Sequence, residues 1–463
     1  MNNKIIVFCA TIIFMSSCTT VQIKQTLSDA KTASVAFLHE NGISVQNDPA
    51  LSFNPLPYRT NVPDRQLSVV PPVMANRVFT SPEETLPQVV KVLLTGIDDP
   101  VRQAKILHDW IALNISYDAL SFGKGEIPDQ DYTSVLRSKK AVCEGYSNLY
   151  LKMCSLAKIR CQKISGYARG VGFNPLVAED ISKSNHAWNA VLLKGNWYLV
   201  DTTWDSGYVN GCGTYAYVRR YSTEYFLLDP KFMLYTHLPT MSMWQLLDPP
   251  IRDSEFANLP HLTGDFFDAA TLLDTSLSSN NVVDSTTVLR LSLRAGKRIS
   301  AHLLDDKGKE IIGSTFIAKT GDITELRLSF PKAGKYTLDL FSGDTKATTF
   351  WSIGEIVYTA TKGTEFKFPE QPLCSIGNDL VIISPYNGLV KKGQETVFSF
   401  VIPSAKTASL LVGDDFRPMT RNPDGSFSLA IIPEKKGENI TLLVPTNTSV
   451  TSFEAVLIYT VID

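Results

Sequence analysis

Three short runs carry residue types that together suit acyl transfer: Ala141-Val142-Cys143-Glu144-Gly145-Tyr146, Asn185-His186-Ala187-Trp188-Asn189 and Leu199-Val200-Asp201-Thr202-Thr203-Trp204. A thiol attacks as its thiolate, and a free cysteine with a pKa of ~8.5 is only a few per cent ionised at pH 7. An imidazole must therefore take up the proton, and a carboxylate must fix the tautomer of that imidazole and stabilise its cation. Cys143, His186 and Asp201 suit these roles of nucleophile, base and orienting acid. Asp205 stands as a weaker substitute for Asp201, and His237, outside the three runs, reads as structural.

These side chains need particular elements to meet. From Cys143 onward Tyr146, Leu149, Tyr150, Met153, Cys154 and Ala157 recur at three- and four-residue spacing, so a helix is expected to start at the nucleophile. Its amino-terminal partial charge favours a thiolate there. Two helices precede it. One follows Ser81-Pro82-Glu83-Glu84, with Ser81 expected to cap, and the other follows Asp98-Asp99-Pro100. Beyond it, Cys161 to Ala168, Ala187 to Leu193 and Trp197 to Thr202 read as strands, the last two as a hairpin. A turn centred on Gly195-Asn196 would place Asp201 opposite Ala190, whereas one on Lys194-Gly195 places it opposite Trp188. The second keeps His186 and Asp201 within reach on one face, and it is the turn expected.

The chain has 463 residues, 44% apolar and 19% charged, enough for about three domains. A net charge of −2 and the lack of a basic stripe interleaved with aromatics speak against nucleic acid as a partner. At the amino terminus Lys4 precedes the mostly apolar run Ile5 to Met15, which is too short to span a bilayer and reads as a signal peptide over residues 1–17. Met15-Ser16-Ser17-Cys18 resembles the lipobox of bacterial lipoproteins, with Met15 in place of the usual Leu. The resemblance implies a lipidated Cys18 and a bacterial cell-envelope location, with the protein anchored on the non-cytoplasmic side of a membrane; secretion with cleavage nearby is the alternative. Setting aside Cys9 and Cys18 leaves five cysteines, an odd count without paired metal spacing. Cys154 and Cys161 could bridge, although both suit buried apolar positions.

Residues 18–80, rich in proline and without sustained period, read as a tether and an irregular wrap before a catalytic domain over 81–264. From about residue 265 short alternating strands take over, in two units, 265–362 and 363–463. Val288 to Leu293 and Val397 to Ile402 recur early in each unit, and Pro331 to Leu338 and Pro433 to Leu442 recur late. This weak duplication suits two β-sandwiches without the Cys, Trp, Cys pattern of antibody domains.

The stretch from Trp110 to Asp205 resembles the transglutaminase-like cysteine enzymes, which share a papain-type layout. Together with Tyr225-Phe226-Leu227-Leu228-Asp229-Pro230, Thr236-His237-Leu238-Pro239 and Trp244-Gln245-Leu246-Leu247, it looks most like the kyphoscoliosis peptidase branch. The implied fold class is α+β: a papain/transglutaminase-like core of helices and antiparallel sheet, then two all-β immunoglobulin-like sandwiches. The resemblance implies Cys143 as nucleophile, His186 as general base and then acid, and Asp201 as orienter, with no metal or organic cofactor. It implies that the Cys143 N–H holds part of the oxyanion and makes Gln130 a candidate for the second donor. Trp188 and Trp204 are candidates to wall a substrate groove, with core packing as the competing role. The function expected is a lipid-anchored cysteine hydrolase acting on a protein or peptide through a thioester. Cross-linking acyl transfer through the same intermediate and a non-catalytic envelope scaffold are the alternatives.

Overall fold

The computed structural model describes residues 81–463 except 211–214, 321, 346, 348, 373–379 and 447–451. The signal peptide, Cys18, the stretch 18–80, Cys212 and Cys374 lie outside the described residues. Within them no helix is long and apolar enough to cross a membrane.

Five helices open the structure: α1 (Pro82–Leu93), α2 (Pro100–Asn114), α3 (Ala119–Lys124), α4 (Tyr132–Ser138) and α5 (Cys143–Leu156). Asp99 caps α2 by accepting from the Arg102 N–H, and Pro100 occupies the first turn, where its missing N–H costs nothing. Ser81 does not cap α1 as expected; its side chain makes no capping hydrogen bond, and Pro82 and the acids of the first turn mark the start instead. The helix starting at Cys143 is present.

An antiparallel five-stranded sheet follows, built from β1 (Cys161–Ala168), β2 (His186–Leu193), β3 (Asn196–Val200), β4 (Phe226–Leu228) and β5 (His237–Pro239), in the order β4-β3-β2-β1-β5. Its odd-numbered side chains on β2, Val191 and Leu193, pack with Tyr146, Leu149, Tyr150 and Met153 of α5 and with Leu107, Trp110 and Ile111 of α2 in one core. These two helical stripes and one sheet face make a two-layer α+β domain.

The rest is β. Its first sandwich comprises β6 (His261–Leu262), β7 (Ala270–Leu272), β8 (Asn281–Val283), β9 (Thr286–Leu293), β10 (Lys297–Asp305), β11 (Thr315–Thr320), β12 (Ile323–Ser329), β13 (Gly334–Asp344) and β14 (Trp351–Ala360). The second comprises β15 (Val381–Ser384), β16 (Leu389–Lys391), β17 (Thr396–Val401), β18 (Ser409–Val412), β19 (Asp415–Pro418), β20 (Thr420–Arg421), β21 (Ser426–Ile431), β22 (Asn439–Pro445) and β23 (Phe453–Ile462). One sheet is β7-β9-β12-β11 in the first and β15-β17-β21-β20 in the second. In the facing sheets β10-β13-β14 corresponds to β18-β22-β23, and β8 and β16 each add in parallel to the last strand. The repeated sequence runs therefore occupy equivalent strands. The first sandwich begins at His261, ahead of residue 265, because β6 pairs with β14.

This sandwich is packed onto the α+β domain. Phe232 stacks on Phe267 with ring centroids 4.1 Å apart, the Gly264 N–H donates to the Tyr225 hydroxyl at 3.0 Å, and Arg220 pairs with Asp265 at 3.1 Å.

Candidate active site

Cys143 opens α5, where the first N–H groups of a helix lack partners within it. Three contacts hold this helix start. The Val142 N–H donates to Gln130 Oε1 at 2.9 Å, Asn148 donates to the Gln130 carbonyl at 2.9 Å, and the Tyr146 hydroxyl donates to the Ile115 carbonyl at 2.8 Å. The Gln130 amide nitrogen donates to the Pro128 carbonyl. Gln130 thus fastens the start of α5, with its side-chain oxygen and one of its two amide protons engaged there.

The β2–β3 hairpin brings the other two residues together. Leu193 pairs with Asn196 and Asn189 with Val200, so the loop is Lys194-Gly195, as expected. Both loop residues have positive φ, 51° and 87°, the left-handed pair that matches a two-residue hairpin to strand twist. Extending this register sets Asp201 opposite Trp188, two residues from His186. His186 Nε2 lies 2.6 Å from Asp201 Oδ2. That leaves Nδ1 for the Cys143 thiol, which also takes a hydrogen bond from the Ala187 backbone. Asp201 Oδ1 accepts the N–H groups of Thr203 (2.8 Å) and Trp204 (3.1 Å).

The charges follow from these contacts. Burial pushes the Cys143 thiol up, but the adjacent His186 cation and its hydrogen bond more than offset this, and the thiol is held below its usual range. Burial disfavours the His186 cation, yet Asp201 and Cys143 raise it to about 10. Burial also works against ionised Asp201, and His186 and His237 together hold its carboxyl well below the ordinary carboxylate range. These contacts favour a thiolate–imidazolium pair.

His237 belongs to this cluster, contrary to its reading as a structural residue outside it. It is buried, and its Nε2 lies 3.1 Å from Asp201 Oδ2. The donor atoms of His186, Asp201 and His237 lie within 4.8 Å of one another, a spacing that metal sites also show. Hydrogen bonds to Oδ2 account for their contacts here. Asp205 is no substitute for Asp201, because it faces away from His186 and binds His108 Nε2 at 3.0 Å, the Ser222 hydroxyl at 2.7 Å and the Tyr225 N–H. His108 in turn binds Asp109, which pairs with Lys105 at 2.6 Å, so a buried ionic chain ties α2 to the segment after β3.

The two tryptophans part company. Trp188 is buried and stacked against His186 (centroids 5.9 Å, 23°), backing the imidazole instead of walling a groove. Trp204 lines a cleft of about 650 Å³ that holds Cys143 and His186 at one end. The other end reaches Arg220, Asp265 and Trp351, so the first sandwich supplies part of the wall. Arg220 lies over the Trp351 ring at 4.6 Å. Between β1 and β2, buried Arg169 grips Glu179 and the carbonyls of Tyr235, Phe256 and Leu259, pinning the loop that delivers His186. Little in the local sequence marks these roles, since Arg169 reaches Tyr235, Phe256 and Leu259, and Arg220 reaches Trp351, across long stretches of chain.

Comparison with known proteins finds a family match over the stretch that carries these residues. Residues 87–202 match the model of the transglutaminase-like superfamily. The chain is similar to mouse kyphoscoliosis peptidase, 29% identical over 259 residues, covering 56% of this chain and 38% of that one. It is similar to the human protein at 33% over 188 residues, covering 40% and 28%. A solved TGase structure overlaps 31% of this chain and 34% of its own at 16% identity, with a TM-score of 0.20. The chain thus spans well under half the length of these curated relatives. Residues 87–202, with the helix start at Cys143 and the hairpin that carries His186 and Asp201, make this chain one with a transglutaminase-like domain.

Proposed function

We propose that the chain is a cysteine hydrolase of peptide or amide bonds. The reading rests on one arrangement: Asp201 holds His186 through Nε2 at 2.6 Å, leaving Nδ1 for a thiol at a helix start. The Cys143 thiolate adds to the amide carbonyl carbon, and the carbonyl pair moves to oxygen, where the Cys143 N–H receives it. Collapse breaks the C–N bond as the His186 Nδ1 proton passes to the leaving nitrogen, giving free amine and a thioester. His186, now neutral, takes a proton from water as the water attacks. The acid departs, and the thiolate–imidazolium pair is restored.

The name peptidase carried by the mouse and human relatives supports hydrolysis over transfer. An amine entering in place of water would give cross-linking instead. The basic start, apolar run and Cys18 support a lipid-anchored protein of a bacterial envelope, working on envelope or imported peptides. Incubation with a peptide library and an amine donor, read by mass spectrometry against Cys143→Ala, tests the chemistry. Cleaved peptides from the wild type alone are expected, and amine-transfer products without hydrolysis would reject the hydrolase reading. The mass of the mature amino terminus tests the anchor; a terminus beyond Cys18 without lipid would reject it.

A further inference from the structure

The acid of the triad has a second imidazole on it, and its protonation can be worked out. Asp201 is fully buried and accepts four hydrogen bonds, two backbone N–H groups on Oδ1 and two imidazole nitrogens on Oδ2. An ionised carboxylate only accepts, so His237 Nε2 must carry a proton. Its Nδ1 then has either a second proton or a lone pair. The Thr236 hydroxyl, 2.8 Å from Nδ1, can donate to a lone pair. Burial and the nearby His186 cation, with ring centroids 5.3 Å apart, keep His237 neutral, near a pKa of about 4 despite the pull of Asp201. The chain of donors runs from Thr236 Oγ1–H to His237 Nδ1, and from His237 Nε2–H to Asp201.

We infer that His237 is a positioning residue for acyl transfer, a neutral donor that locks the Asp201 carboxylate toward His186 and keeps it ionised through the reaction cycle. The inference rests on the proposed roles of Cys143 and His186. Its value lies in the half of the cycle after His186 has given its proton to the leaving amine. Asp201, itself fully buried, then faces a neutral imidazole, and an unsupported buried carboxylate would tend to protonate. A cationic partner in place of His237 would compete with His186 for Asp201, whereas a neutral N–H does not. The other titratable groups facing this pair are Cys143 from α5, Tyr117 and the buried Tyr225, whose hydroxyl receives the Gly264 N–H.

The test is the pH profile of Cys143 alkylation by iodoacetamide in the full chain, with melting temperature measured separately. In the wild type two steps are expected, one where the thiolate–imidazolium pair forms and one near pH 10 where His186 loses its proton. In His237→Phe the steps should draw together by about one pH unit each, a roughly tenfold loss of rate on the acid side of the plateau. His237→Gln, whose amide can donate to Oδ2, should restore most of the separation, and Thr236→Val should show a smaller narrowing. A residue that only packs would lower the melting temperature and leave the steps where they are. Unchanged steps in folded His237→Phe, or in Thr236→Val should the first variant fail to fold, overturn the inference. A single ordinary thiol titration in the wild type overturns the Cys143–His186 reading, and the inference with it.

Discussion

Asp201 and Asp205 lie four residues apart on one short turn, and each holds the Nε2 of a different histidine. Asp201 takes His186 at the cleft, while Asp205 takes His108 in the interior, and the Asp205 N–H donates to the Asp201 carbonyl at 3.3 Å. The same local geometry thus serves chemistry on one side and anchorage on the other. The side chains nevertheless report through different observables.

Asp205→Ala should therefore cost stability, because it leaves the His108 end of a buried ionic chain unpaired, a loss of about 3–5 kcal/mol. Denaturant unfolding measures this, and the folded fraction should keep a reactive Cys143. Asp201→Ala should instead abolish the fast alkylation of Cys143. A loss of reactivity in folded Asp205→Ala would contradict the separation.

The pH dependence of the nucleophile has a definite sign. Below the depressed pKa of Cys143 the thiolate is protonated, so the alkylation rate falls on the acid side, and that fall should lie at lower pH than for an ordinary thiol. In His186→Ala the thiol returns to an ordinary range, and the rate at pH 7 should fall by roughly 30- to 100-fold, the few-per-cent ionisation of a free thiol. Stopped-flow alkylation across pH 4–10 checks both.

Gly145→Ala should destabilise the protein, although alanine is the better helix former. A Cβ there would lie 2.5 Å from Gln130 Oε1 and 2.8 Å from both Ala141 Cβ and Val135 Cγ2. Helix propensity favours alanine by about 1 kcal/mol, and overpacking costs about 1–3 kcal/mol. The crowding reaches Gln130, so slower alkylation of Cys143 should accompany the lower melting temperature.

Trp351→Ala should weaken substrate binding without slowing chemistry. Trp351 is part of the sandwich's contribution to the cleft lining, remote in sequence from the triad and in contact with Arg220. With any peptide found to be cleaved, KM should rise about tenfold, the loss of one aromatic and cation–π contact worth about 1–1.5 kcal/mol. The kcat should hold.

What the sequence disclosed was whatever depends on near neighbours. The period from Tyr146 to Ala157 marks α5, and the requirement that Asp201 come within reach of His186 selects the Lys194-Gly195 turn. The recurrent runs of the β region mark strands that prove equivalent in the two sandwiches. Roles set by distant partners were hidden. Gln130 holds the start of α5 through the Val142 N–H, a contact twelve residues away that no local pattern marks. Trp188 and Trp204 look alike in sequence, yet Trp188 is enclosed by His186 and His237 while Trp204 borders the cleft. His237 reaches Asp201 only because β5 returns to the edge of β1, where Ala168 pairs with it.

The shared wall of the cleft has an evolutionary consequence. On the proposed function, bond breaking and substrate choice draw on separate stretches of chain, Cys143, His186 and Asp201 for the first, and Asp265 and Trp351 in the cleft wall for the second. Substitutions on the β6–β14 sandwich can retune which molecules are admitted while the reactive machinery stays intact. Lineages carrying this arrangement can diversify their diets without reinventing their teeth.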